Sequence, residues 1–221
     1  MSTTLAKLLS YLGHPLLVLT YILLILLAVN PYAFGVRAMY DRNAMLLLIS
    51  VFSTSFLLPG FGVALMKPLG LIQSLHMPDK MERIGPYIIT GVFYLWLFKN
   101  LAAAGSQYPA LFSKCVLGAT IGLFLAFFTN IFTKISAHAT GMGGLVAMLL
   151  LTAFAWSGSP LYLSIPGGRL LVSVTAVLAV GIVFAGAVGA ARLALGAHTP
   201  VDLYRGYAVG FLAVFLANIL V

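Results

Sequence analysis

The chain is short of charge, and above all of negative charge. Only 7% of its 221 residues are charged, and its four acids, Asp41, Asp79, Glu82 and Asp202, stand against twelve lysines and arginines. An average soluble domain carries roughly 25% charged residues. A 23.5 kDa globule of this composition could not cover its surface in water, so lipid must solvate much of it. The single cysteine, Cys115, lies in an apolar stretch. That excludes an internal disulfide framework and a cysteine-based zinc site, and leaves a small packing residue. Clustered runs of Lys or Arg are missing too, so the formal charge of +8 does not point to nucleic acid. Repeats, linkers and low-complexity tracts are absent, and residues 1–221 read as one domain. The N-terminal MSTTLAKLLSYLG has no small-x-small cleavage site, so the first apolar run reads as a retained helix rather than a removed signal peptide.

What the chain does have is apolar length: 62% of its residues are hydrophobic. At roughly 20 apolar residues per crossing, candidate spans fall at 8–30, 44–66, 86–104, 110–132, 137–157, 169–190 and 203–220. This predicts an all-α fold, a polytopic transmembrane bundle of six to seven helices. The separators carry turn chemistry: Asn30-Pro31, Asp41-Arg42-Asn43, Lys67-Pro68, Met77-Pro78-Asp79, Gly85-Pro86, the stretch from Gly105 to Pro109, and a loop GSPLYLSIPGG over 158–168.

Ionisable groups at or within membrane spans are costly, which makes them functional candidates. They collect in three places. The first is His76-Met-Pro-Asp-Lys-Met-Glu-Arg83, with Pro86 beyond it. The second is Lys134-Ile-Ser-Ala-His138, followed by ATGMGG. The third is Ala191-Arg192, five residues, then His198-Thr-Pro-Val-Asp202. Two spans separate the first cluster from the second, and two more separate the second from the third. All three therefore emerge on one side of the membrane.

Together these residues have the parts of a phosphoryl-transfer site without metal. Such chemistry rests on positioning and on stabilising charge spread over three oxygens. Lys80, Arg83 and Arg192 supply positive charge, and arginine offers a planar two-pronged fit to phosphate. Ser136 and the N–H groups after it offer donors at a helix start, where the dipole favours an anion. Two histidines allow one to attack phosphorus and the other to protonate the leaving oxygen. Asp202, four residues after His198, is placed to hold that ring in one tautomer.

The three clusters resemble the signature of the type 2 phosphatidic acid phosphatase family, membrane lipid phosphatases that share their site with vanadium haloperoxidases. The family's third motif is Ser-Arg, five residues, His, three residues, Asp; Arg192, His198 and Asp202 keep its spacing, with Ala191 in place of Ser. The second, Pro-Ser-Gly-His, reads here Ile135-Ser136-Ala137-His138. The first, Lys, six residues, Arg-Pro, is the weakest match: Ile84 follows Arg83, His76 stands seven residues before it, and Lys80 is nearer than the pattern expects. The resemblance covers roughly 76–220, and the first two helices contribute only general character.

The resemblance implies a fold and a mechanism. His198 is the nucleophile that forms a phosphohistidine, Asp202 orients it, and His138 is the general acid. Lys80, Arg83, Ser136, Ala137 and Arg192 hold the phosphate, and His76 is a candidate for part of the first-motif lysine's place. It implies no cofactor and no metal, a lipid phosphate as substrate among membrane lipids, and no obligatory protein partner. Phosphatidic acid, phosphatidylglycerophosphate, undecaprenyl diphosphate and the phosphate of a lipid A-like glycolipid are all candidate substrates. A phosphotransferase of the same family and a non-enzymatic transporter with a basic cavity are the alternatives. The expected location is a bacterial inner membrane. With the catalytic cations set aside, Lys7, Lys67, Lys134 and Arg205 lie on the motif side, against Arg37, Arg42, Lys99, Lys114 and Arg169 opposite. That balance leans towards a site facing away from the cytoplasm.

Structural roles compete for the same residues. Thr199-Pro200-Val201-Asp202 also reads as an N-cap, a first-turn proline and an acid at the third position. Ser136 reads as an N-cap, and His138 taken alone as an interior histidine. For Gly141, Gly143 and Gly144, helix packing is favoured over a phosphate-cradling turn. His14, beside Pro15, is expected at the interface. Asp79 and Glu82 are expected to pair with Lys80 or Arg83 at the loop surface.

Overall fold

The helices begin where the sequence supplies caps and prolines. In the computed structural model, Ser136, Ser173 and Thr199 each accept the backbone N–H three residues on, at 3.3, 3.1 and 3.3 Å, and each opens a long helix. The structure describes residues 1–221 apart from His76, Pro78, Lys80, Ser159, Pro166 and Gly167, and gives the backbone alone over 161–165 and 168–170. His76 and Lys80, expected in the first cluster, thus lie outside the described residues.

The helices are α1 Thr3–Leu12, α2 Val18–Val29, α3 Arg42–Phe52, α4 Leu58–Met66, α5 Ile84–Ala103, α6 Ala110–Phe132, α7 Ala137–Ala155, α8 Val174–Ala194 and α9 Pro200–Leu220. Among the described residues, six stretches are long and apolar enough to cross a membrane: Thr3–Val29, Arg42–Met66, Ala110–Phe132, Ala137–Ala155, Val174–Ala194 and Pro200–Leu220. The more polar α5 carries Lys99 and Asn100 near its end. Its 20 residues make about 30 Å of helix. It packs along α6 from the 104–109 turn to the opposite end, where the Arg83 guanidinium donates to the Ile135 carbonyl at 3.4 Å. The all-α bundle of six to seven helices is therefore what the chain forms. Its outer surface is apolar, with Phe154, Val183 and Ile219 more than 70% exposed, as lipid solvation requires.

Three spans depart from the expected bounds. The first is broken at Gly13, where His14 and Pro15 open a single 3-10 turn, Pro15–Leu17, before α2 begins. The second is π-helical over Ser53–Leu57, just ahead of Pro59, whose ring would otherwise collide with the carbonyl four residues back. The expected 158–168 loop and the start of the 169–190 span form an antiparallel hairpin instead. Strand β1, Pro160–Ile165, pairs with β2, Gly168–Ser173, in a register running from Pro160↔Ser173 to Ile165↔Gly168. Two short apolar runs, PLYLSI and GRLLVS, with Pro and Gly between them in sequence are compatible with that hairpin.

At the centre lies α7, packed against α9, α8, α6 and α2. Glycine lets α9 approach closely. A Cβ at Gly206 would fall 2.7 Å from the Ser136 carbonyl oxygen, and one at Gly210 would fall 2.8 Å from the Gly144 nitrogen. One at Gly143 would overlap the Tyr207 backbone, and one at Gly141 would come within 3.0 Å of Pro15 Cα. These glycines are packing residues, as expected. Cys115 is fully buried in the same core.

Candidate active site

The glycine seam fixes the start of α9 beside the start of α7. The Ser136 N–H donates to the Asp202 carbonyl at 3.3 Å, so the second and third clusters meet through the backbone. The first cluster joins through Arg83, which donates to the Met77 carbonyl from Nε and Nη2 at 3.1 and 3.0 Å and to Ile135 from Nη1. The parity of crossings is thereby realised as direct contact at one end of the bundle.

The third cluster is built locally. Gly196, at φ +62°, turns the chain out of α8, and the Ala197 N–H returns to the Arg192 carbonyl at 3.1 Å. His198 then precedes the Thr199 cap. Asp202 Oδ2 accepts the Thr199 N–H at 3.0 Å, while the Asp202 N–H donates to Thr199 Oγ1, a complete capping box. The same oxygen stands 3.5 Å from His198 Nδ1, an ion-pair approach rather than a closed hydrogen bond. Asp202 is therefore both the helix cap and the partner of His198. The His198 side chain is only 4% exposed. Burial, and after it the positive charges of Arg192, Arg83 and Lys134, push its imidazole down to about 4, against the pull of Asp202. His198 is thus neutral at pH 7, with Nε2 free of the carboxylate.

Ser136 is fully buried and its Oγ accepts the Ala139 N–H, so it acts as the cap of α7. Ala137 is the first residue of that helix, where the backbone N–H has no intrahelical acceptor. One residue further on, His138 Nε2 lies 3.1 Å from the Ser10 carbonyl oxygen. A carbonyl only accepts, so Nε2 carries the proton. Arg192, His14 and His198 all lie near enough for their charges to act on the His138 ring. Arg192 donates from Nη1 to Ser10 Oγ at 3.4 Å, and its Nε is buried without a partner. Arg83 and Arg192 lie near enough to repel.

One expectation is corrected here. His14 does not stand apart from the motif residues: its ring lies edge-on to His138 with centroids 5.6 Å apart, and its Nδ1 accepts the Leu16 N–H at 3.4 Å. The first span therefore contributes Ser10 and His14 to the site instead of general character alone. The signal available in the sequence was Gly13-His14-Pro15, a histidine at a helix break inside an otherwise continuous apolar run. The acids were expected to pair with Lys80 or Arg83, and Lys80 lies outside the described residues. Asp79 accepts the Met81 N–H at 3.0 Å and Glu82 the Gln73 N–H at 2.7 Å. Among the described residues neither forms an ion pair with Arg83, because both carboxylates brace their own loop. Lys134, at the start of the second cluster, also acts on His198.

The fold and this cluster define a multi-pass membrane protein with a cationic, two-histidine site at one end of its bundle. No family model, no curated protein and no solved structure matches the chain.

Proposed function

We propose that the protein is a membrane-embedded phosphatase that removes a phosphate monoester or pyrophosphate group from a lipid through a phosphohistidine, as the type 2 phosphatidic acid phosphatases do. The observation that carries this reading is the His198–Asp202 pair, set among Arg192, Arg83 and Lys134 with His138 close by. Three cations facing one carboxylate favour an anion, and a carboxylate-oriented neutral imidazole is a nucleophile.

In the first step Nε2 of His198 attacks phosphorus. The N–P bond forms as the bond from phosphorus to the lipid oxygen breaks; His138 keeps its Nε2 proton on the Ser10 carbonyl, takes a second proton at Nδ1 from the incoming phosphate monoanion and passes that Nδ1 proton to the lipid oxygen. In the second step water attacks the phosphohistidine, loses a proton to His138 and breaks the N–P bond. Inorganic phosphate takes that proton from His138 Nδ1 and leaves as the monoanion, and both histidines return to their starting states. Arg192 and Arg83 stabilise the charge on the equatorial oxygens. The positive-inside balance supports an extracytoplasmic site in a bacterial inner membrane.

Against the transporter alternative stands the placing of the interrupted helices. The two broken spans, Thr3–Val29 and Arg42–Met66, are consecutive, whereas transporter folds place such breaks in corresponding positions of two halves. The test is phosphate release by the purified protein over a panel of lipid phosphates in detergent. The expected result is turnover abolished by His198→Ala, unaffected by a metal chelator and inhibited by vanadate, which mimics five-coordinate phosphorus. Turnover that persists in His198→Ala, or that needs added magnesium, overturns the mechanism.

A further inference from the structure

We infer that the groove between α8 and α9 seats a hydrocarbon chain of the lipid whose phosphate occupies the site. This rests on the lipid-phosphate reading above and adds where the rest of the molecule lies. Helices α8 and α9 both pack along α7 yet scarcely touch each other. They splay from the loop that carries Arg192, His198 and Asp202, leaving a groove of about 520 Å³ floored by α7. Gly143 and Val146 form the floor, Ile182 and Gly186 one wall, and Tyr207 and Phe211 the other. No charged side chain lines it.

The three helices place this groove at one depth beneath the site. Gly143 follows His138 by five residues, Tyr207 follows Asp202 by five, and Gly186 precedes Arg192 by six. At 1.5 Å per residue each lies about 7–9 Å along its helix from the site. The far end, at Ile182 and Leu212, lies about 15 Å away, half the hydrocarbon thickness of a bilayer. Tyr207 marks the boundary between the polar and apolar regions, its hydroxyl donating to the Ala185 carbonyl at 2.6 Å. A cationic cluster beyond the head of an apolar, laterally open groove complements an amphiphile with an anionic headgroup. The occupant is accordingly an acyl or prenyl chain of the substrate.

Gly186 makes this testable without disturbing the packing. A Cβ there meets no atom within 4 Å, whereas one at Gly143 would strike the Tyr207 backbone. Gly186→Trp therefore fills the groove and leaves the α7 seam intact. Ala208→Trp on the facing wall is the second variant, and Val183→Trp, on the lipid face outside the groove, is the control. Each protein is assayed with dioleoyl phosphatidic acid and with soluble p-nitrophenyl phosphate. Each is also photolabelled with a phosphatidic acid bearing a diazirine in its chain. The expected result is labelling of the 182–186 and 207–212 segments, lost in Gly186→Trp. That variant should also raise KM for the lipid at least roughly tenfold, the effect of excluding about two methylenes, with the aryl phosphate turned over as by the wild type. Equal effects on both substrates overturn the groove, as does equal labelling by a phosphatidylcholine probe. Labelling of the groove without phosphate release from either substrate overturns the hydrolase reading and leaves the groove standing.

Discussion

The two histidines of the site are held in opposite ways. His198 is served by Asp202, four residues away, through a loop and cap encoded within a dozen positions. His138 is served by the Ser10 carbonyl, 128 residues away, on a helix that packs against α8 and meets Arg192 there through the Ser10 hydroxyl. In each pair an oxygen lies beside one imidazole nitrogen, at 3.5 Å for His198 and 3.1 Å for His138. For His198 that oxygen is a charged carboxylate, and for His138 it is a neutral carbonyl. A carboxylate stabilises the imidazolium far more strongly than a carbonyl does, which suits His198 to attack and His138 to give up its proton. The locally encoded pair should therefore be the more sensitive to substitution.

The sharpest way to break that comparison is Asp202→Asn. Asparagine keeps an oxygen for the Thr199 N–H, so the capping box persists while the charge beside His198 disappears. Phosphate release should fall by about 10³- to 10⁴-fold, as for the corresponding change in a Ser-His-Asp triad, with thermal stability almost unchanged. A loss of only a few-fold would reduce Asp202 to a cap and remove the nucleophile assignment with it.

His138→Ala should come next, at roughly 10²- to 10³-fold on a lipid phosphate, the usual worth of a general acid. Its signature is dependence on the leaving group. An aryl phosphate, whose phenolate departs without a proton, should be cleaved nearly as fast as by the wild type. If both substrates lose rate equally, His138 holds the site together and donates no proton.

The same contrast explains what could be read from the residues alone. The His198–Asp202 spacing, the Thr199 cap, the Ser136 cap and the α6 bounds are local, and period, cap and motif carry them. The hairpin at 160–173 was hidden because short apolar runs do not separate strand from helix by pattern. Ser10 and His14 were hidden for a different reason. Nothing in SYLGHP names a partner, and the contact exists only because Gly13 meets Val188 and Gly141 meets Pro15. For Asp79 and Glu82 the contacts to backbone N–H groups of their own loop were likewise not named by residue type.

A smaller effect concerns pH. Burial and neighbouring cations lower the His198 pKa to about 4 in the folded protein, against 6.5 for an exposed imidazole. Between these values the unfolded chain binds a proton that the folded one does not, so the contribution of His198 to stability is complete above 6.5 and is lost as pH falls towards 4. For catalysis the neutral nucleophile persists to low pH, and the acidic limb of kcat/KM should lie well below 6. Arg192→Gln removes the largest of the charges that lower this pKa, and should move the limb upward by about one unit in whatever rate remains. A limb fixed at 6.5 in both proteins would show that His198 is neither buried nor under that charge.

The smallest expected effect probes the distant half of the comparison. The His14 ring is pinned by the Leu16 N–H and lies edge-on to both His138 and Phe56, so it walls the His138 ring without replacing the Ser10 contact. His14→Ala should lower kcat by roughly three- to tenfold with KM unchanged, since a loosened catalytic group loses near-attack geometry and not affinity. His14→Asn, whose side chain can still accept the Leu16 N–H, should recover most of the loss. Nitrogen-15 imidazole signals should show His138 still protonated at Nε2 in both variants, because its acceptor is a backbone carbonyl that neither substitution removes. If His14→Ala shifts that tautomer, the ring and the carbonyl act as one unit. The long-range half of the site would then be as tightly specified as the local one.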